Sequence, residues 1–317
     1  MSRLPTLFIS HGAPTFALER GRVGQELAAL GQVLPRPEAV LVVSPHWMTA
    51  APRVGAAASP ATIHDFGGFD PALYRIRYPV SGHPVLAARA VVRLIEDGWD
   101  AHPDPERGLD HGAWAPLLHL YPTAAVPAFQ VSLPLALDAR QAWSLGRSLA
   151  PLADEGVLII GSGSLTHNLH DFRMRPGLDA AYVKSFTAWV HEAIAQGDES
   201  RLLRTLEDAP HARRAHPTPE HFWPLLVAAG ASGRTMLPVR ILEGGVTHES
   251  LSMDSIVFGD SNRVIGTQDT VSPAVTRALP GGIPSWYHVQ PKNAGAVTSE
   301  AAHEGEGRGL HAARGPI

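Results

Sequence analysis

Short apolar runs recur along the chain and stop abruptly on polar turn residues. Leu7-Phe8-Ile9 ends on Ser10-His11-Gly12, and the run 39–44 ends on Pro45-His46-Trp47. Further runs lie at 128–133, 157–163, 234–242 and 252–259. Runs of this length, bounded by Gly, Pro and Ser, predict strands. Between them, apolar residues fall at helical spacing over 21–34, 83–98, 138–156, 179–198 and 219–232. The third of these opens on Asp138 and closes on Gly156, which are start and stop signals for a helix. Strands alternating with helices predict an α/β fold: a single three-layer domain with a central, mostly parallel sheet flanked by helices. No internal repeat interrupts the pattern.

The alternation fails after Gly259. Residues 260–317 are rich in Gly, Pro, Ala and polar residues without a sustained period. The expected division is therefore a catalytic domain over 1–259 and a mobile tail over 260–317. His288, His303 and His311 fall in that tail and are poor candidates for a site.

Composition narrows the chemistry. Hydrophobic residues make up 44% and charged residues 18%, as in ordinary globular proteins. A net charge of −4 argues against nucleic acid as a partner. No apolar run is long enough to span a bilayer, so no membrane partner is expected. The first residues read as strand rather than as a signal sequence, which predicts a cytoplasmic protein. With 17 histidines and no cysteine, thiolate chemistry is excluded, and any metal must be held by imidazole and carboxylate.

The histidines are placed suggestively. His11 and His46 each follow an apolar run, and the run 157–163 continues through Ser164-Leu165-Thr166 to His167 and Asn168. In an open α/β sheet, ligands bind beyond the carboxyl ends of the strands, so parallel neighbours would bring His11, His46 and His167 together. Pro217 and Pro219 form a rigid loop leading into a helix, from whose start His221 or its neighbour Glu220 would project. "TIHDFGGF" (62–69) reads most simply as a surface loop packing Phe66 and Phe69, and "LDHGAW" (109–114) as a helix start capped by Asp110. The turn "GSGSLTH" could cradle a phosphate, but it has neither a P-loop lysine nor a G-x-G-x-x-G pattern. Each motif alone has an ordinary structural reading; five of them in one chain without cysteine point to a histidine-rich metal site.

The motifs "HGAPTFALE", "VVSPHW", "TIHDFGGFDPALYRIRYP", "GLDHGAWAPLLHLYP", "VPAFQVSL", "GSGSLTHNL", "HPTPEHFWPLL" and "SLSMDSIVFG", in this order over residues 4–259, resemble the class III extradiol ring-cleaving dioxygenases. Within that class the resemblance is to the subgroup named for DOPA 4,5-extradiol cleavage. It implies an α/β domain with one non-haem metal ion, Fe(II) for dioxygenase activity, with Zn(II) often bound in isolated members. It implies His11, His46 and His221 as metal ligands and His167 as the catalytic histidine, which in this subgroup can itself come within coordination distance. It implies His111 as a second catalytic histidine and His64, Asp65 and Asn168 as residues of the substrate pocket. The better-known branch of the class completes its ligand set with a Glu; here Glu220 and His221 are adjacent, and an all-histidine set would leave the site more positive.

The implied reaction inserts both atoms of O2 into a catechol-type ring. It needs a base to take a hydroxyl proton and an acid to assist O–O cleavage, and one imidazole can serve as both near neutral pH. His167 is the expected acid–base residue and His111 its helper. The expected partners are a small catechol and O2; the oligomeric state is not indicated. Two alternatives stand beside this reading. A zinc hydrolase would also use three histidines and an open position, though no H-E-x-x-H is present. A non-catalytic metal-binding protein could share the fold.

Overall fold

The computed structural model describes residues 3–174, 180–234 and 236–259. All belong to the first of the two units into which the chain divides, Met1–Leu279. The tail expected over 260–317 lies outside the described residues, as do its three histidines.

Among the described residues ten strands run in chain order: β1 (Thr6–Ser10), β2 (Ala39–Thr49), β3 (Arg53–Gly55), β4 (His102–Asp104), β5 (Ala128–Pro134), β6 (Val157–Gly163), β7 (Val239–Leu242), β8 (Val246–Thr247), β9 (Leu251–Ser252) and β10 (Ser255–Phe258). Eight form one sheet in the order β4-β3-β5-β2-β6-β1-β10-β7, and β8 and β9 pair separately. The centre, β5-β2-β6-β1, is parallel throughout. The carboxyl ends of β1, β2 and β6 therefore lie along one edge, as the strand-ending histidines require. β10 and β7 add antiparallel strands on one side, and β3 joins β5 antiparallel on the other.

The central strands are buried on both faces and so read as unbroken apolar runs. Side chains alternate between the faces. Phe8, Leu41, Val43, Val157 and Ile159 join one core with the helices Pro84–Glu96, Ala139–Leu149, Ala181–Ala195 and Trp223–Ala231. The intervening Leu7, Ile9, Val40, Val42, Leu158 and Ile160 are equally buried. Beyond them the helix His111–Leu120 packs on β2 and β6 and against the helix Gly21–Val33. All ten residues of His111–Leu120 are buried, so this helix carries no polar face. The three-layer α/β expectation holds. Among the described residues, no helix is long and apolar enough to cross a membrane.

Some boundaries differ from the pattern. β2 runs past Ser44 to Thr49, because the chain resumes pairing with β5 after a break between Val43 and Met48. The strand expected over 234–242 begins at Val239. The last helix begins at Trp223, after His221 rather than at it, with Pro224 in its first turn.

Candidate metal centre

His11 immediately follows β1, and its backbone N–H still bonds Gly163 O of β6 at 2.9 Å. Gly12 then turns the chain with φ of 59°, and a Cβ there would stand 2.6 Å from Met253 Sδ. The His-Gly pair ends this strand because the backbone needs both a left-handed turn and room beside Met253.

His46 sits inside the break in β2. Six residues from Val43 to Met48 face only the three from Val131 to Leu133 of β5, and Pro45, which has no N–H to give a ladder, falls within the interruption. Opposite it, Asp110 caps the helix His111–Leu120 by accepting from Ala113 N–H. The Asp110 carboxylate is fully buried and also accepts from Gln130 Nε2 at 2.9 Å and Arg107 Nη2 at 3.0 Å. Gly112 lets this helix close onto β2: a Cβ would lie 2.3 Å from Ser44 Oγ. The His46 and His111 rings consequently stand 4.0 Å apart, centroid to centroid.

His167 and His221 come from two loops pinned together. His167 N–H donates to Ala215 O at 2.8 Å, and Ser164 N–H to His221 O at 3.0 Å. Cβ atoms at Gly161 and Gly163 would lie 1.9 Å from Pro224 O and 2.4 Å from His221 O. The glycines of "GSGSLTH" are thus clearances for the segment carrying His221, not a phosphate cradle. The two rings stack in parallel, 3.5 Å between centroids at 7°.

His11, His46 and His221 each bring one ring nitrogen into a cluster in which all three atoms lie within 4.8 Å of one another. His11 Nε2 and His46 Nε2 are 3.2 Å apart. Two nitrogens bound to one ion at about 2.0–2.1 Å each sit at roughly that separation. The other nitrogen of each ring already faces an oxygen: His11 Nδ1 meets Ser162 Oγ at 3.0 Å, His46 Nδ1 meets Asp65 Oδ2 at 3.3 Å, and His221 Nδ1 meets Glu220 Oε1 at 3.2 Å. Protons held there leave the three Nε2 lone pairs directed inward, the usual arrangement of metal-binding histidines. His221 Nε2 is buried and has no hydrogen-bond partner among the described residues, which is costly unless something else takes its lone pair. The donor set fits a divalent metal ion.

The electrostatics agree. Burial, then the neighbouring histidines, push His11 and His221 well below the ordinary histidine range. Burial and His111 push His46 down to about 3 against the opposing pull of Asp65. Burial lowers His167 to about 4, although Glu220 opposes it. All four are neutral at physiological pH, the only form in which imidazole can bind a metal. Burial would raise Asp65, but the side-chain and backbone hydrogen bonds from His111 help hold it down at about 2.

The remaining expected site residues divide. His111 donates to Asp65 from both Nδ1 and its backbone N–H, each at 2.8 Å. His167 groups with Glu220 and His221 in the cluster of possible ligands, and not with His11 and His46. Glu220, left open beside His221 by the sequence, contacts the His221 ring and accepts from Thr218 Oγ1 at 2.8 Å. His64 bonds Ile76 O at 3.0 Å and packs among Phe66, Tyr74 and Trp114. Asn168, expected in the pocket, is instead consumed by the backbone. Its oxygen accepts from His170 and Asp171 N–H, capping the helix Leu169–Met174, and its amide donates to Arg214 O. Ser162 was not singled out from the sequence. Its only signal is a hydroxyl inside a fully buried strand, a group that must find a partner.

Comparison with known proteins gives the family. Residues 6–259 match the model of the family described as catalytic LigB subunit of aromatic ring-opening dioxygenase. A 4,5-DOPA dioxygenase extradiol of Beta vulgaris is 40% identical over 232 residues, covering 72% of this chain and 87% of that protein. A protein of the same name from Escherichia coli K12 is 38% identical over 270 residues, covering 81% and 96%. The crystal structure of an uncharacterized protein from Escherichia coli K12, JW3007, superposes with a TM-score of 0.67 at 33% identity, covering 81% of this chain and all of that one. A mostly parallel sheet, a cluster of neutral histidines at its carboxyl edge and a match spanning the domain converge: the chain belongs to the family of aromatic ring-opening dioxygenases, within its DOPA 4,5-extradiol dioxygenase-like subgroup, and is an extradiol ring-cleaving enzyme.

Proposed function

We propose that this chain opens a catechol-type ring beside its two hydroxyls, using one metal ion held by His11, His46 and His221. Iron(II) is the ion proposed for turnover; zinc(II) suits the same nitrogens and would bind without supporting the redox step. When bound, the iron provides the electron path between the ionised catechol and O2. The single observation that carries this reading is the convergence of three imidazole nitrogens whose ring partners are all oxygens.

The protein supplies geometry and proton transfer. His167 is the residue proposed to take a catechol hydroxyl proton and return it. Its ring is neutral and makes no side-chain hydrogen bond among the described residues, so both of its functions as acceptor and donor are free. Stacking on His221 fixes its plane beside the metal ligands. His111 serves as the second proton-handling group, oriented by Asp65. Phe66, edge-on to His111 with centroids 5.5 Å apart, offers an apolar wall for an aromatic ring. The two curated relatives named for 4,5-DOPA cleavage make a catechol bearing an amino-acid side chain the first substrate to try.

Anaerobic reconstitution with Fe(II), followed by a 4-substituted catechol and O2, tests the proposal. Formation of a yellow ring-cleaved semialdehyde with one O2 consumed per ring is expected. Metal binding without ring cleavage across a panel of catechols would contradict it.

A further inference from the structure

Asp65 lies in the loop between β3 and the helix Pro71–Arg75, distant in sequence from the histidines it meets. Two N–H groups of His111 donate to its carboxylate, and a ring nitrogen of His46 lies close beside it. Oδ1 accepts from the backbone N–H of His111 at 2.8 Å. Oδ2 lies 2.8 Å from His111 Nδ1 and 3.3 Å from His46 Nδ1. One oxygen therefore faces a proposed metal ligand and a pocket histidine at once. Its side chain is about 19% exposed, and the helix that carries His111 is buried throughout, so the arrangement has little freedom to rearrange.

We infer that Asp65 is a positioning residue which couples the metal centre to proton handling, by holding His46 and His111 in the same tautomer with a single carboxylate oxygen. The inference rests on the metal centre proposed above and extends it. An ionised carboxylate only accepts hydrogen bonds. His111 must then carry its proton on Nδ1, and His46, whose Nδ1 lies 3.3 Å from the same oxygen, avoids lone-pair repulsion by doing likewise, so both present an unprotonated Nε2. In His46 that lone pair faces His11 and the shared ion; in His111 it is free to receive a proton. Asp65 thus acts through the two rings. It determines which nitrogen of each ring does the work, and it ties the two choices together.

Asparagine at this position exposes the coupling, because it has one acceptor where Asp has two. The His111 backbone N–H is a donor that cannot change role, so it claims the Asn oxygen and leaves the NH2 facing the imidazoles. A ring can meet that NH2 only with an unprotonated Nδ1, which moves the proton to Nε2. His111 then loses its acceptor, and His46, where it follows, its inward lone pair.

The test uses the full chain as wild type, D65N, D65E and H46A. Zinc affinity is measured by competition with a chromophoric chelator, ring tautomers by nitrogen–proton correlation NMR of the zinc-loaded protein, and kcat at saturating Fe(II). D65N is expected to weaken zinc about 10–100-fold, to move His111 to the Nε2–H tautomer, and to lower metal-saturated kcat by about 10²-fold. D65E, which restores a two-oxygen acceptor on a longer arm, is expected to recover most of the zinc affinity and the Nδ1–H tautomer of His111. Wild-type zinc affinity in D65N, or an unchanged His111 tautomer there, would overturn the coupling. Should D65N fail to fold, His111 found as Nε2–H in D65E would overturn it equally. Zinc retained in H46A would instead sink the three-histidine centre, which separates the two failures.

Discussion

On one flank of the histidine cluster, His46 and His111 share a carboxylate oxygen; on the other, His167 and His221 stack face to face. The first flank is built from a broken strand and a buried helix start, where His111 is held by hydrogen bonds to Asp65 and His46 lies against the same carboxylate. The second is built from two loops that pass over glycines, and among the described residues the His167 ring is held by packing on His221. The same residue type is thereby fixed in one place and left chemically free in another. Burial makes the rings on both flanks neutral where a shift is resolved, so what separates their roles is the partner at the second nitrogen, not the protonation state.

The largest expected effect comes from removing one of the three nitrogens on which the two flanks converge. His11→Ala, His46→Ala and His221→Ala should each lose most of the bound metal, and turnover with it, while far-UV circular dichroism stays that of the wild type. Full metal retention in His221→Ala would transfer the ligand role to Glu220 or His167.

Next in size is His167→Ala, which addresses the unbonded ring alone. Metal content should remain near that of the wild type and the rate should fall by roughly 10²–10⁴-fold, as for loss of a general acid–base group. Partial recovery at high pH, where catechol ionises without help, would sharpen the assignment. A loss of metal with no recovery at high pH would make His167 a ligand and erase the contrast between the flanks.

The loop flank also rests on His216, whose Nε2–H donates to Leu165 O at 2.9 Å inside the core. Burial lowers His216 to about 4, and His119, under the other flank, to about 4 as well. Between the unfolded value near 6.5 and these folded values, the unfolded chain takes up protons that the fold refuses. Stability therefore falls as pH drops from about 6.5 to about 4, by on the order of 3 kcal/mol for each histidine at most. Denaturant midpoints across that range measure it; a flat profile in the metal-free protein would contradict the burial argument.

A smaller effect is expected from Gly163→Ala, whose Cβ would press on His221 O. Overpacking should cost about 1–3 kcal/mol and weaken metal binding by displacing His221, with the His46–His111 tautomers unchanged by NMR. Equal disturbance of both flanks would show that they are not independent.

The sequence made the β1, β5 and β6 strands legible because each is buried on both faces and reads as one apolar run. The three-residue strands β3 and β4 carry no period and were invisible. The three ligand candidates and His111 were legible from strand ends, a proline loop and a helix cap. Their oxygen partners were not. Asp65 meets His111 across 46 residues, and Ser162 meets His11 across 151, so those contacts depend on strand register and loop path rather than on spacing. Asn168 shows the converse. Beside a proposed catalytic histidine it looks like a pocket residue, but its sequence position is also that of a helix cap, and its side chain bonds the backbone.

The central claim is that three neutral imidazoles share one ion while the flanking histidines stay outside its coordination. A crystal structure of the iron-loaded protein, with anomalous scattering recorded at the iron edge, measures this directly. The account predicts a single anomalous peak bonded to Nε2 of His11, His46 and His221, with Asp65 and Glu220 still on the outer nitrogens. A peak bonded to Glu220, or lodged between His46, Asp65 and His111, would contradict it.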